Sequence, residues 1–140
     1  MAFTTYAKNG ILNELTGQTG SAFDFSDMYL ALGYLSGTSF VELDNTSCPG
    51  YARKLVGSPA QSLTRLFPVA ADGTVSNNQE IQFARATASW SGITITHAAL
   101  YTASTGGNQI TLDALTSSLS GIGENYIVAL SAGSCVLSFN

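Results

Sequence analysis

The sequence contains few charged residues. Asp, Glu, Lys and Arg make up 10% of its 140 residues, whereas a typical globular domain carries about 25%. A nucleic-acid-binding protein needs a clustered basic face that displaces counterions from phosphates. The five basic residues are instead scattered along the chain, which predicts no direct binding of nucleic acid: Lys8, Arg53, Lys54, Arg65 and Arg85.

Cysteine is also scarce, and no long apolar run occurs. Cys48 and Cys135 are too few for a disulfide framework and form no Cys-x-x-Cys pair, so we expect free thiols in a reducing cytosol. No stretch approaches the about 18 apolar residues of a membrane span. The first ten residues lack the basic segment and the apolar run of a secretion signal. These absences predict a protein made in the cytoplasm without a membrane partner.

Histidine occurs once, at His97. A zinc or iron site built on imidazole usually needs two or three histidines, and no G-x-S-x-G sequence presents a serine nucleophile. Glu42 and Asp44 supply too few oxygen ligands for a calcium loop. We therefore predict no catalytic residue, no metal site and no cofactor. His97 is either a catalytic group at the end of a strand or a strand residue on the face of Ile93 and Ile95 with a hydrogen-bond partner, and the second interpretation is favoured.

Serine, threonine and glycine take the place of the missing charges. Threonine is a good strand residue, and serine and glycine suit turns, so this composition is typical of an all-β protein. A hydroxyl-coated surface also suits a protein that packs against others, because the cores of protein interfaces are depleted in charges. Composition leaves both readings open: a β-domain with a neutral surface, and a β-domain that uses this surface for contacts.

One helix is predicted, over residues 4–16. Thr4 or Thr5 is suited to cap its amino end, and Gly17 follows at a natural stopping point. The spacing places four apolar residues on one side of this helix: Ala7, Ile11, Leu12 and Leu15.

Short strands separated by turn signals dominate the rest of the chain. Their spacing of about 8–12 residues predicts a mainly β fold, an antiparallel jelly-roll-like sandwich with one short N-terminal helix. No linker or repeat interrupts the chain, so we expect a single domain over residues 1–140. The predicted strands cover residues 27–35, 51–56, 63–67, 73–76, 79–84, 92–102, 109–115, 125–131 and 134–139.

Residues 36–50 are predicted to form a long loop. Phe40, Val41 and Leu43 are apolar where a loop should be polar, so they either tuck beneath the domain or touch a partner. Trp90, the only tryptophan, is predicted to be a core anchor.

Five short motifs follow one another along the chain: YLAL at 29–32, GYAR at 50–53, IQFARATASW at 81–90, ITHAALY at 95–101 and TGGN at 105–108. Each motif is weak by itself, and their shared order is the more specific feature. In this order, over about the whole chain, they resemble a family of small tailed-phage virion proteins.

The resemblance implies a structural role in the virion and carries no catalytic residues. Size and predicted fold are similar to those of a capsid cement protein, which binds the outer capsid surface and stabilises contacts between major capsid protein subunits. One alternative is a tail-associated structural or fibre protein. Another, from a different class, is a small hydrolase or sugar-binding domain with a deep pocket at His97 or Trp90. For the cement protein we expect a dimer or trimer on the shell. Its predicted contact residues are Phe3, Tyr6, Phe40, Val41 and Leu43.

Overall fold

The computed structural model describes residues 2–16, 27–58 and 66–138. These residues form a mainly β fold with one short helix, which confirms the predicted fold class. The elements in chain order are β1 (Ala2–Phe3), α1 (Thr5–Leu15), β2 (Met28–Ser36), β3 (Ser39–Glu42), β4 (Lys54–Gly57), β5 (Thr74–Ser76), β6 (Ile81–Gln82), β7 (Thr94–Tyr101), β8 (Gln109–Ser120), β9 (Ala129–Leu130) and β10 (Val136–Ser138).

An antiparallel sheet forms one layer of the fold. Its strand order is β1–β8–β7–β2–β3, and β4 pairs with the same side of β2 nearer the start of that strand. Leu30 and Leu32 of β2 point into the core and are fully buried. Ala31 and Gly33 alternate with them and lie on the opposite face, where they pair with Ala99 and His97 of β7.

The second layer covers the core face of this sheet. It consists of two short antiparallel ladders, β5 with β10 and β6 with β9, together with the segments that connect them. The predicted sandwich is therefore present, with a second layer of two-stranded pieces. Its apolar side chains meet those of the main sheet in one cluster, which includes Tyr51, Ile81, Phe83, Trp90, Ile122, Val128, Leu130 and Cys135.

The helix begins as the sequence predicts but buries a narrower face. Thr4 caps it, because its Oγ1 accepts a hydrogen bond from the amide of Ala7 at 3.3 Å. Ala7 is fully buried. Leu12 and Leu15, which the sequence places on the same side as Ala7, are 56% and 79% exposed. The contacts of α1 are with β1 and β8, so among the described residues only a narrow stripe of the helix meets the sheet.

The predicted loop at 36–50 contains a strand. β3 pairs with the end of β2 in a hairpin, with Phe40 opposite Leu35 and Val41 opposite Tyr34. Gly37 has a φ of 64°, a left-handed conformation that glycine adopts without strain. It therefore allows a tight turn immediately after β2, and β3 follows where the sequence predicts a loop.

Other boundaries also differ from the predictions. β8 runs five residues beyond the predicted end at 115, to Ser120, whereas the strands predicted at 125–131 and 134–139 shrink to β9 and β10. Most of the strand predicted at 63–67 lies outside the described residues, and its last two residues form no strand. Short β-ladders packed on a larger sheet leave little periodicity in the sequence, which explains the overestimated lengths.

Two register shifts interrupt the pairing of β7 with β8, and the larger one lies between Ile95 and His97. Ile95 lies opposite Leu119, whereas His97 lies opposite Ala114. Residues 115–118 therefore stand opposite Thr96 alone, and they form the β8 bulge. The alternation of β7 changes at this point: Ile95 is in the core, but Ala98 and Leu100 are its next core residues.

Candidate functional site

The most densely bonded polar cluster of the described structure surrounds Arg53. Its Nε and Nη2 donate to the two carboxylate oxygens of Glu42, at 2.8 and 2.6 Å. The Arg53 side chain is only 7% exposed and that of Glu42 is 24% exposed. This two-pronged geometry is the strong form of an ion pair, because both donors of the planar fork are used at once. The pair raises the pKa of Arg53.

Arg53 also ties down the loop between β7 and β8. Its Nη1 donates to the carbonyl oxygens of Ala103 and Gly106, both at 2.7 Å. The same loop is closed by the hydroxyl of Thr102, which accepts a hydrogen bond from the amide of Asn108 at 3.0 Å. One arginine thus joins the carboxylate of β3 to the turn of the β7–β8 hairpin.

Tyr51 connects this cluster to the core. Its hydroxyl accepts a hydrogen bond from the amide of Leu32 at 3.0 Å and donates to Glu42 Oε1 at 3.1 Å. Its ring stacks on Phe83 and meets Trp90 edge to face, with centroids 6.5 and 6.3 Å apart. Burial raises the pKa of the Tyr51 hydroxyl, so it is a neutral donor at physiological pH.

Two hydrogen bonds hold the carbonyl oxygen of Pro49, two residues before Tyr51. Trp90 Nε1 donates to the carbonyl oxygen of Pro49 at 3.0 Å, and the Thr87 amide donates to the same oxygen at 2.9 Å. Gly50 has a φ of 91°, and a Cβ at this position would lie 2.5 Å from the carbonyl oxygen of Arg85. Only glycine fits here without a shift of the backbone.

Four of the sequence motifs therefore meet in one network. Leu32 belongs to YLAL, Tyr51 and Arg53 to GYAR, Trp90 to IQFARATASW and Gly106 to TGGN. Arg53 uses four of its five N–H donors on these fixed protein acceptors. This cluster fixes the β2–β3 hairpin, the β7–β8 hairpin and the segment before β4 relative to one another. It leaves the Arg53 side chain only one N–H donor with which to bind a ligand.

His97 lies outside this cluster. It shares a face of β7 with Ala99 and Tyr101, as the alternation predicts. The β8 bulge puts Ile95 on the opposite face, in the core, so the predicted shared face with Ile95 is wrong. The imidazole is half-buried, and its Nδ1 is 2.8 Å from the hydroxyl of Thr96. A half-buried strand residue with a hydrogen-bond partner is what the favoured interpretation predicts.

The other residues considered for chemistry are dispersed. Cys48 and Cys135 are free and buried, and burial raises the pKa of both thiols. Trp90 is a core anchor, as predicted. Within the described ranges, no three His, Cys, Asp or Glu side chains gather as metal ligands. In the same ranges, no helix is long and apolar enough to cross a bilayer.

The predicted contact residues do not form one surface. Phe3 belongs to β1 and Phe40 to β3, and these strands are the two ends of the path β1–β8–β7–β2–β3. Tyr6, on α1, and Val41 are half-buried. Leu43 is a core residue, 5% exposed, and offers a partner little surface. The contact role of the other four residues stays a prediction.

A shallow depression lies beside the β2–β3 hairpin. It has a volume of about 430 Å³ and is lined by Tyr34, Leu35, Thr96 and residues 92–94. Phe40 and Val41 are the cross-strand partners of Leu35 and Tyr34. The two predicted contact residues of β3 therefore adjoin an uncharged depression.

Sequence reasoning missed a second cleft, beside the β8 bulge. It has a volume of about 380 Å³ and opens between β8 and the segment from β9 to β10. Ala98, Leu130 and Cys135, all core residues, line it, as do Ser131 and Ser134.

Comparison with known proteins identifies the family. No curated protein matches the chain. A protein family described as Podophage GP4 fiber I protein gp80 matches residues 2–138, nearly the full length. The matched region includes all five motifs and the whole Arg53 network. The chain therefore belongs to this family of phage virion structural proteins of the tail-fibre type.

Proposed function

We propose that the protein is a structural component of a podophage tail fibre or of its attachment to the tail, and that it acts by contact alone, without catalysis. The observation that carries the proposal is the family match over residues 2–138, whose description names a fibre protein. The match supports a structural role in the virion. The location of that role in the tail fibre is our proposal.

The Arg53 network supports a mechanical role. Ion-pair and carbonyl contacts fasten the β7–β8 loop to β3, with a guanidinium that is 7% exposed. Polar groups that are saturated by protein partners rigidify a fold and have little capacity left to bind substrate. A rigid, charge-poor β-domain can bury hydroxylated and apolar surface against its neighbours at little desolvation cost.

The alternative hypothesis is a capsid cement protein. Such a protein would also act by contact alone, but it would bind the major capsid protein on the outer capsid surface. The family description favours the fibre, and no structural feature of the described chain favours the head over the tail.

Antibody labelling of purified virions separates the two locations. An antibody raised against the isolated protein should mark the tail region in electron micrographs, while a control antibody against the major capsid protein marks the head. Label distributed over the head would overturn the fibre proposal and restore the cement hypothesis. Virions without any label, made in cells that express the protein, would refute a virion role altogether.

A further inference from the structure

Asn77 is a buried polar residue outside the Arg53 network. It directly follows β5 and is 1% exposed. Its side-chain Nδ2 donates to the carbonyl oxygens of Gln79 and Ser131, at 2.8 and 3.0 Å, and its Oδ1 accepts a hydrogen bond from the amide of Cys135 at 2.9 Å. Both N–H donors and the oxygen of this side chain therefore have main-chain partners.

Two of these partners belong to one segment of the second layer. Residues 129–138 comprise β9, β10 and the turn between them, and we call this segment the strap. The main chain of Asn77 holds the same turn. Its amide donates to the carbonyl oxygen of Cys135 at 3.2 Å, and its carbonyl oxygen accepts from the amide of Gly133 at 2.6 Å. Asn77 alone therefore makes four hydrogen bonds to the strap.

Among the described residues, short ladders hold the strap. β10 pairs with β5 over three residues and β9 pairs with β6 over two, whereas β7 of the main sheet pairs with strands on both sides. Leu130 and Cys135 are buried, but residues 131–134 between them are exposed. The cleft separates part of the strap from β8. Segments with short ladders and few buried side chains are those that open at low free energy.

We propose that the side chain of Asn77 is the latch of the strap: it keeps the strap closed on the core, and without it the strap opens locally while the main sheet stays folded. Truncation of this side chain removes a partner from the carbonyl of Ser131 and from the amide of Cys135. Buried groups that lose a partner are costly, and the cost falls when water reaches them. Opening of the strap admits that water, so the closed strap is the state that the truncation destabilises. The inference goes beyond the fibre proposal, since it concerns a local motion of the isolated chain.

The two native thiols test the latch. Cys135 lies in the strap and Cys48 in the loop after β3, and both are free and buried. Iodoacetamide alkylates a thiol once it is accessible, and peptide mass spectrometry resolves the rate at each site under native conditions. Asn77→Ala should alkylate Cys135 about tenfold faster or more and leave the rate at Cys48 unchanged. Asn77→Asp should do the same, because a carboxylate keeps the shape but cannot donate to the two carbonyl oxygens. Asn78→Ala is the matched control, since Asn78 is the exposed neighbour, and it should change neither rate.

Two results would overturn the proposal. An unchanged rate at Cys135 would show that the strap stays closed without the latch, and an equal acceleration at both thiols would show that Asn77 supports the whole fold. Hydrogen exchange of the wild type is an independent test that needs no variant. The amides of Gly133 and Cys135 should exchange faster than those of β7, and equal protection would also overturn the proposal. Both experiments use the free protein, so their failure is separable from antibody label found on the head.

Discussion

The guanidinium of Arg53 stacks on the ring of Tyr101, with Cζ 3.7 Å from the ring centroid. Arg53 precedes β4 on one side of β2, and Tyr101 ends β7 on the other side, so the contact crosses β2. Ala31 and Ala99, a fully buried cross-strand pair on the same face, leave room for it. This contact and the Glu42 ion pair together link β7 and β3 to the residue that precedes β4.

Removal of Arg53 should destabilise the fold strongly. Arg53→Ala should lower the free energy of unfolding by about 3 kcal/mol, because it leaves a partly buried carboxylate unpaired. Arg53→Lys should lower it less, since the charge remains but the fork is lost. Lys8→Ala, which removes an exposed cation, should change it by no more than about 0.5 kcal/mol. Urea denaturation measures all three, and an Arg53→Ala as stable as the control would contradict the assigned role.

Gly50 should tolerate no side chain. Gly92→Ala is the control, because Gly92 also has a positive φ, 71°, but open space around it. It should cost about 1 kcal/mol, the penalty of a left-handed alanine. Gly50→Ala should cost about 3 kcal/mol or more, because the clash with the Arg85 carbonyl also displaces Pro49 from Trp90 and Thr87. Thermal unfolding of both variants measures the difference, and equal losses would show that the close approach is unimportant.

Stability should fall at alkaline pH. Burial raises the pKa values of Tyr51 and Tyr101 in the native protein, whereas tyrosines in the unfolded chain ionise near the ordinary value of about 10. Above that pH the unfolded state binds fewer protons than the native state, so the free energy of unfolding decreases as pH rises. Below it both states are protonated and this effect vanishes.

Tyr51→Phe isolates the contribution of the buried hydroxyl. The variant should lose about 1 kcal/mol at neutral pH through its missing hydrogen bonds. Its unfolding free energy should then decline less steeply above pH 10 than that of the wild type. Urea melts at several pH values measure the slope, and an unchanged slope would mean that this hydroxyl does not control the alkaline loss.

His97→Gln should leave both fold and virion assembly intact. The imidazole is a half-buried strand side chain beside the Thr96 hydroxyl, and glutamine keeps a polar group there. We expect a stability change within about 1 kcal/mol and normal incorporation into infectious particles. A folded variant that assembles yet loses infectivity would instead reveal a functional role of the imidazole.

Local signals predicted several elements well. The apolar run at 27–35 became β2, and Thr4 caps the helix as expected. Periodicity was less reliable where strand pairing is irregular. The alternation ITITH at 93–97 predicts that His97 shares a face with Ile95, but the register shift at the β8 bulge puts the two residues on opposite faces of β7. A bulge depends on the register of two strands distant in sequence, which no local pattern contains.

The sequence by itself determined the class of the molecule: a charge-poor β-domain with ordered motifs that resemble those of phage virion proteins. Only the tertiary structure decided that the motifs of Leu32, Arg53, Trp90 and Gly106 meet in one network of hydrogen bonds and ring contacts, and that a cleft opens beside β8. The physical reason is that composition and turn chemistry act over a few residues, whereas ion pairs and sheet edges depend on which distant strands become neighbours.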